Sequence, residues 1–200
     1  MKTQRWLACL GVVLAIFFTS AAVAGPEEAA AKFALGRELI AKADFEGALR
    51  AYNSAAKADR KNDTYRQAAT LLQRVLKMRK GLDKLTGAEW RANAYALHAF
   101  YTENNVHTEA IPLARRIHAE LDMPESSARL ARTALALGRN AEVAELLQGM
   151  AAEQRTPELN LLLGLALARQ DQLGAAQAAI AGLTAPSNAG GAWYFDLACV

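Results

Sequence analysis

Three histidines, His98, His107 and His118, are the side chains of this chain best suited to hold a metal or move protons, and their spacing argues against both roles. The gaps of 9 and 11 residues put no two imidazoles one helical turn apart, as a zinc-type pair requires. His107 reads instead as a packed turn residue. Beyond residue 24 the serines are Ser54, Ser126, Ser127 and Ser187, and none has the flanking glycines of a nucleophile elbow. Glu27, Glu28 and Glu38 read as solvated helix charges, not as a catalytic pair of carboxylates. Gly190-Gly191 follows no strand, so it reads as a linker or helix stop and not as a phosphate cradle. Cys199 is the only cysteine after residue 24, which rules out a disulfide framework and cysteine-based metal binding there. These residues predict a protein that is not an enzyme and that calls for no cofactor and no metal.

The elements that carry these residues follow a repeated register. Leu35-Gly36, Leu97-His98, Leu130-Ala131, Leu163-Gly164 and Leu197-Ala198 recur at separations of 62, 33, 33 and 34 residues. Behind each of the first four leucines a mostly apolar ladder follows at offsets of 4, 10, 13, 17 and 20. From Leu35 it runs through Leu39, Phe45, Ala48, Tyr52 and Ala55; from Leu163, through Leu167, Leu173, Ala176, Ile180 and Leu183. A fixed period in this range marks a stacked helical array. Arrays of this kind present surfaces. Abundant alanine, sparse β-branched residues and the lack of alternating apolar runs make the chain all-α.

Residues 1–24 read as a secretory signal peptide, with Lys2 and Arg5 ahead of an apolar run and Ala22-Val23-Ala24 as the small-residue site before Gly25. Cleavage near Ala24-Gly25 would release an exported chain, periplasmic or envelope-associated. The uncharged stretch Trp6 to Ala24 is also nearly long enough to be kept as an anchor. Without the signal the formal charge drops from +3 to +1. That charge is lopsided: residues 57–84 hold nine Lys or Arg against three Asp, a local excess of +6.

The first unit, about 27–58, is predicted to pair two helices around a turn at Ala43-Asp44, with Gly36, Ala48 and Ala55 letting them approach and Leu35, Leu39 and Tyr52 filling the gap. This pattern resembles the tetratricopeptide repeat family at Leu35-Gly36, Leu39, Asp44-Phe45, Ala48, Tyr52 and Ala55, and again at Leu163-Gly164, Leu167, Asp171, Leu173, Ala176 and Ile180. The resemblance implies a right-handed superhelical solenoid of antiparallel helix pairs that binds peptides or proteins. Further units are expected at about 90–122, 124–154 and 157–185, with an incomplete one at 190–200. The usual large aromatic early in the first helix is missing from most units, and Pro124, Pro157 and Pro186 fall where helices must stop. Residues 62–87 depart from the pattern. Asn62-Asp63-Thr64 can cap a helix, Tyr65, Ala68, Leu72 and Val75 line one face, and a single helix over about 63–80 ending at Gly81 is predicted. Pro112 falls inside the second helix of the third unit, at the edge of its first turn if Thr108 is the cap, or at a kink if the helix begins at Asn105. The last unit stops without its partner helix, as in a fragment of a longer array or an end covered by a partner.

In arrays of helix pairs the first helices line the concave face. The register then places Phe33, Arg37, Ile40, Tyr95, Thr102, Arg132, Leu165 and Arg169 in a groove suited to a peptide or protein partner. A second candidate is the basic face of the 63–80 helix, with Arg66, Arg74, Lys77 and Lys80 turned towards an anionic glycan or lipid surface, or simply towards solvent. Export argues against nucleic acid. The expectation is a non-enzymatic interaction scaffold in a bacterial envelope, with the anionic-surface module as its rival.

Overall fold

A computed structural model describes residues 25–184 and 190–200, without the side chains of residues 192–195. The expected signal segment and Pro186 lie outside the described residues. The described chain is all-helical, and from α1 to α9 sequence-adjacent helices pack on one another. In order these are α1 (Pro26–Ala41), α2 (Phe45–Ala58), α3 (Asp63–Gly81), α4 (Gly87–Glu103), α5 (His107–Leu121), α6 (Pro124–Ala136), α7 (Asn140–Gln148), α8 (Pro157–Ala168), α9 (Leu173–Ile180) and α10 (Gly191–Ala198). Single 3-10 turns follow α3 and α7, at Leu82–Lys84 and Ala152–Gln154. Besides these neighbour contacts, α6 packs on α8, and α10 on α8.

The register recurs in the backbone as one repeated turn. Ala43, Asn105, Gly138 and Asp171, each eight residues after a register leucine, all have left-handed φ values of 58° to 69°. At each, the next amide donates back to the first residue of the ladder, four after the register leucine: Asp44 N to Leu39 O, Val106 N to Tyr101 O, Arg139 N to Ala134 O and Gln172 N to Leu167 O, at 2.8–3.0 Å. The left-handed residue also donates to the carbonyl three residues before it, so two otherwise orphaned carbonyls are satisfied at each helix end. Only at Gly138 is this conformation free of steric cost.

Small residues then set the helix spacing. A Cβ on Gly36 would lie 2.3 Å from the Tyr52 ring, and one on Gly164 would lie 2.6 Å from Ile180. The register pairs these positions at offsets 1 and 17, small with large in Gly36 and Tyr52, Ala131 and Leu147, and Gly164 and Ile180, and reversed in His98 and Ala114. The core has two parts. Phe45, Tyr52, Trp90, Phe100 and Tyr101 dominate the first, whereas leucine and alanine from α6–α9 fill the second. Helix α5 is the wall between them, with Ala110 and Ile117 in one and Ile111 and Ala114 in the other.

Several expectations need correction. Leu35 is 48% exposed and does not fill the α1–α2 gap, whereas Leu97, Leu130 and Leu163 are at most 6% exposed. Helix α1 packs chiefly on α2, so its register leucine lacks the second neighbour that the inner helices have. Leu173, at 57% exposure, is likewise open near the other end. Pro124 and Pro157 do not close units; they take the first position of α6 and α8, where a missing N–H costs nothing. Helix α5 begins at His107, between the two expected starts, and Pro112 lies inside it on the exposed side. The isolated helix is as expected: α3 spans Asp63–Gly81, and the Asn62 side chain accepts from Thr64 N.

Candidate functional site

The polar residues that the fold draws together most tightly sit between α4 and α6. His98 occupies a register position held elsewhere by Gly or Ala, and it is 4% exposed. An imidazole fits there because the facing register position, Ala114, is small. The Arg129 guanidinium lies 3.2 Å from His98 Nδ1 through Nη1, and His98 Nε2 lies 2.9 Å from Thr133 Oγ1. Arginine can only donate, so Nδ1 is the acceptor and Nε2 carries the proton. That N–H donates to Thr133 Oγ1, whose hydroxyl donates to the Arg129 carbonyl at 2.8 Å. Burial first, and then the Arg129 charge, lowers the His98 pKa to about 4. The ring is neutral at pH 7. Arg129 also stacks over the Tyr95 ring, 4.4 Å from its centre.

This network borders a notch of about 380 Å3, lined by His98 and Thr102 on α4, His107 at the start of α5, Arg129 and Arg132 on α6, and Glu158 on α8. Arg132 pairs with Glu158 at 3.0 Å. A second depression adjoins it across Arg132, and Leu165, Arg169 and Asp196 line its far side. A third lies between α1 and the end of α4, with Arg37 facing Glu103, Asn104 and Asn105. Of the eight groove residues expected, Arg37, Thr102, Arg132, Leu165 and Arg169 therefore line depressions along the first helices. Besides Arg132, held by Glu158, two of them are tied down. Thr102 donates to the His98 and Ala99 carbonyls, and Arg169 reaches the Leu135 carbonyl at 3.3 Å.

The other three are used for packing. Ile40 is 4% exposed in the first core, so it presents nothing to a partner. Phe33 stacks on Tyr52 and leans on Tyr65, at 5.0 and 4.9 Å between ring centres. Tyr95 carries Arg129. Leu165 too is 4% exposed, so it offers the second depression only an edge. The sequence raises His98 only as a metal ligand that its spacing argues against, and it does not single out Arg129; the signal for His98 is its place in a small-residue register.

On the opposite kind of surface, Arg66, Arg74, Lys77 and Lys80 are all exposed on α3. Arg66 bonds Asp63 and the Arg60 carbonyl, but no acidic group among the described residues pairs with Arg74, Lys77 or Lys80. Ser126 and Ser127 approach His118 Nδ1 at 3.5 and 3.4 Å, yet they are 0% and 1% exposed and donate to the Met123 carbonyl. They cap α6, and no substrate carbonyl can reach them. Among the described residues no His, Cys, Asp or Glu cluster suits a metal, and no helix is long and apolar enough to cross a membrane.

No family model, no curated protein and no solved structure matches this chain.

Proposed function

We propose that this chain is an exported, non-enzymatic scaffold of tetratricopeptide-like helix pairs, arranged as a right-handed superhelix, that holds a peptide or protein partner along its first helices. The observation that carries the reading is the pair of adjoining depressions sharing Arg132, with a third at Arg37, on the side the register assigns to the groove. Their linings mix fixed donors and acceptors with apolar edges, as a peptide with polar backbone and mixed side chains requires. The repeated left-handed turns and the Gly36 and Gly164 contacts support a rigid array, which a partner meets with little rearrangement. The signal-like residues 1–24 support a site in the periplasm or on the envelope of a bacterium.

The test is selection of peptides from a displayed random library on the purified protein. Enriched peptides should lose binding when Arg132 and Arg169 are both changed to Ala, and keep it when Arg74 and Lys77 are changed to Gln. Enrichment of nothing, or of peptides indifferent to Arg132 and Arg169, would remove the groove from the account.

A further inference from the structure

The outer face of α3 carries a row of exposed cations without acidic partners among the described residues. Arginines that reach across to a neighbouring element meet acids, one of them on α3 itself: Arg79 of α3 meets Glu109, Arg115 meets Glu142, Arg116 meets Asp83, and Arg132 meets Glu158, at 2.7–3.2 Å. On α3 the nearby acids are already engaged. Asp63 bonds Arg66, Asp59 accepts from the Lys61 amide, and Asp83 bonds Arg116. Arg74, Lys77 and Lys80 are left at successive three-residue spacings, where like charges on one helix face repel. The helix dipole favours Lys80 in the last turn. It does nothing for Arg74 in the middle of the helix, so the fold itself gives no reason for the row.

The composition of the row narrows the ligand. From Arg66 to Lys80 the cations span about 21 Å along the helix. Exposed Gln67, Thr70 and Gln73 lie among them, uncharged groups that can both donate and accept hydrogen bonds. Tyr65, the one aromatic on α3, is packed against Phe33, and Phe45 beneath Arg79 is buried, so the row has no platform for stacking bases. The apolar side of α3 is also occupied: Ala69, Leu72 and Val75 are 7%, 1% and 1% exposed in the first core. A helix that lies in a lipid interface must put that side into the membrane, and α3 cannot.

We propose that this face binds a linear acidic polysaccharide, whose carboxylates pair with Arg74, Lys77 and Lys80 while the intervening hydroxyls meet Gln67, Thr70 and Gln73. The site is separate from the first-helix depressions and does not depend on them.

Titration of the purified protein with polygalacturonate, a carboxylated polysaccharide, tests the proposal. Binding should be clear at low salt and weaken steadily as salt is added. Changing Arg74 and Lys77 to Glu should weaken it about thirtyfold or more, at roughly one factor of five per cation removed from an anionic surface and more for reversal. Changing the exposed Lys42 and Arg91 to Glu alters net charge equally and should leave binding within about twofold. Arg74→Gln with Lys77→Gln serves if the reversed pair fails to fold, circular dichroism deciding, and should still weaken binding at least tenfold. Absence of binding, or equal loss in both charge-reversed variants, would overturn the proposal. So would binding to phosphatidylglycerol vesicles or polyphosphate in preference to polygalacturonate.

Discussion

Two surfaces of this molecule handle charge in opposite ways. Between α4 and α6 most polar groups are held by a partner: Arg129 by His98 and Tyr95, His98 by Thr133, Arg132 by Glu158. Arg129 Nε and His107 Nδ1 are buried without one among the described residues. Along α3, Arg74, Lys77 and Lys80 face solvent with no acid beside them. The first arrangement fixes shape, because buried polar groups must be satisfied where they stand. The second fixes nothing in the fold and leaves its charge free to act on something else. One surface suits recognition by fit, the other recognition by charge.

Acid should break the first surface and spare the second. Because the folded His98 pKa of about 4 lies below the ordinary 6.5, the folded state binds fewer protons than the unfolded chain between those values. The resulting stability is present above about pH 6.5 and is lost as pH falls towards 4, to the extent of about 3 kcal/mol. Urea denaturation across this range should show the loss in the wild type and a flatter profile in His98→Gln. Equal profiles would mean that His98 is not held neutral.

Gly36→Ala drives a methyl into the Tyr52 ring and should cost about 1–3 kcal/mol, read as a lower thermal midpoint. It displaces α1, and with it Arg37, while α3 keeps its place on α2. Next in size are the repeated turns. Gly138→Ala should cost about 1 kcal/mol, and Ala43→Gly should gain a similar amount, since both positions have left-handed φ and the added Cβ at Gly138 meets nothing else. Identical midpoints for both variants would deny the strain. The smallest pair of effects draws the comparison most finely. Arg115 donates to both Glu142 oxygens and holds that carboxyl below its usual pKa, so Arg115→Ala should lose up to about 1 kcal/mol. Arg74→Gln with Lys77→Gln should leave stability unchanged or slightly raised, because it removes repulsion only.

The sequence disclosed the elements better than the surfaces. Asn62 as a cap, α3 as one long helix, and Gly36 against Tyr52 were all readable, because capping and close approach depend on single residue types. The exposure of Leu35 was not, since the register says which residues match but not that α1 lacks a second neighbour. The turn at Ala43 was placed but not its left-handed form, because alanine carries no sign of it; Gly138 and Asn105 at the same offset do. Ile40 was misplaced for a related reason. One helix face was counted as groove, but α1 turns Gly36 and Ile40 together into the core. His98 was weighed only as a metal ligand and Arg129 not at all, because the two become a network only once α4 lies beside α6.

The most direct measurement is simultaneous binding: a library-selected peptide and polygalacturonate titrated together onto the wild type, onto Arg132→Ala with Arg169→Ala, and onto Arg74→Gln with Lys77→Gln. Two separate surfaces predict that both ligands bind at once with unchanged affinities, the first variant losing only the peptide and the second only the polymer. Mutual exclusion, or either variant losing both ligands while still folded, would contradict the division of the molecule into a face that fits and a face that attracts.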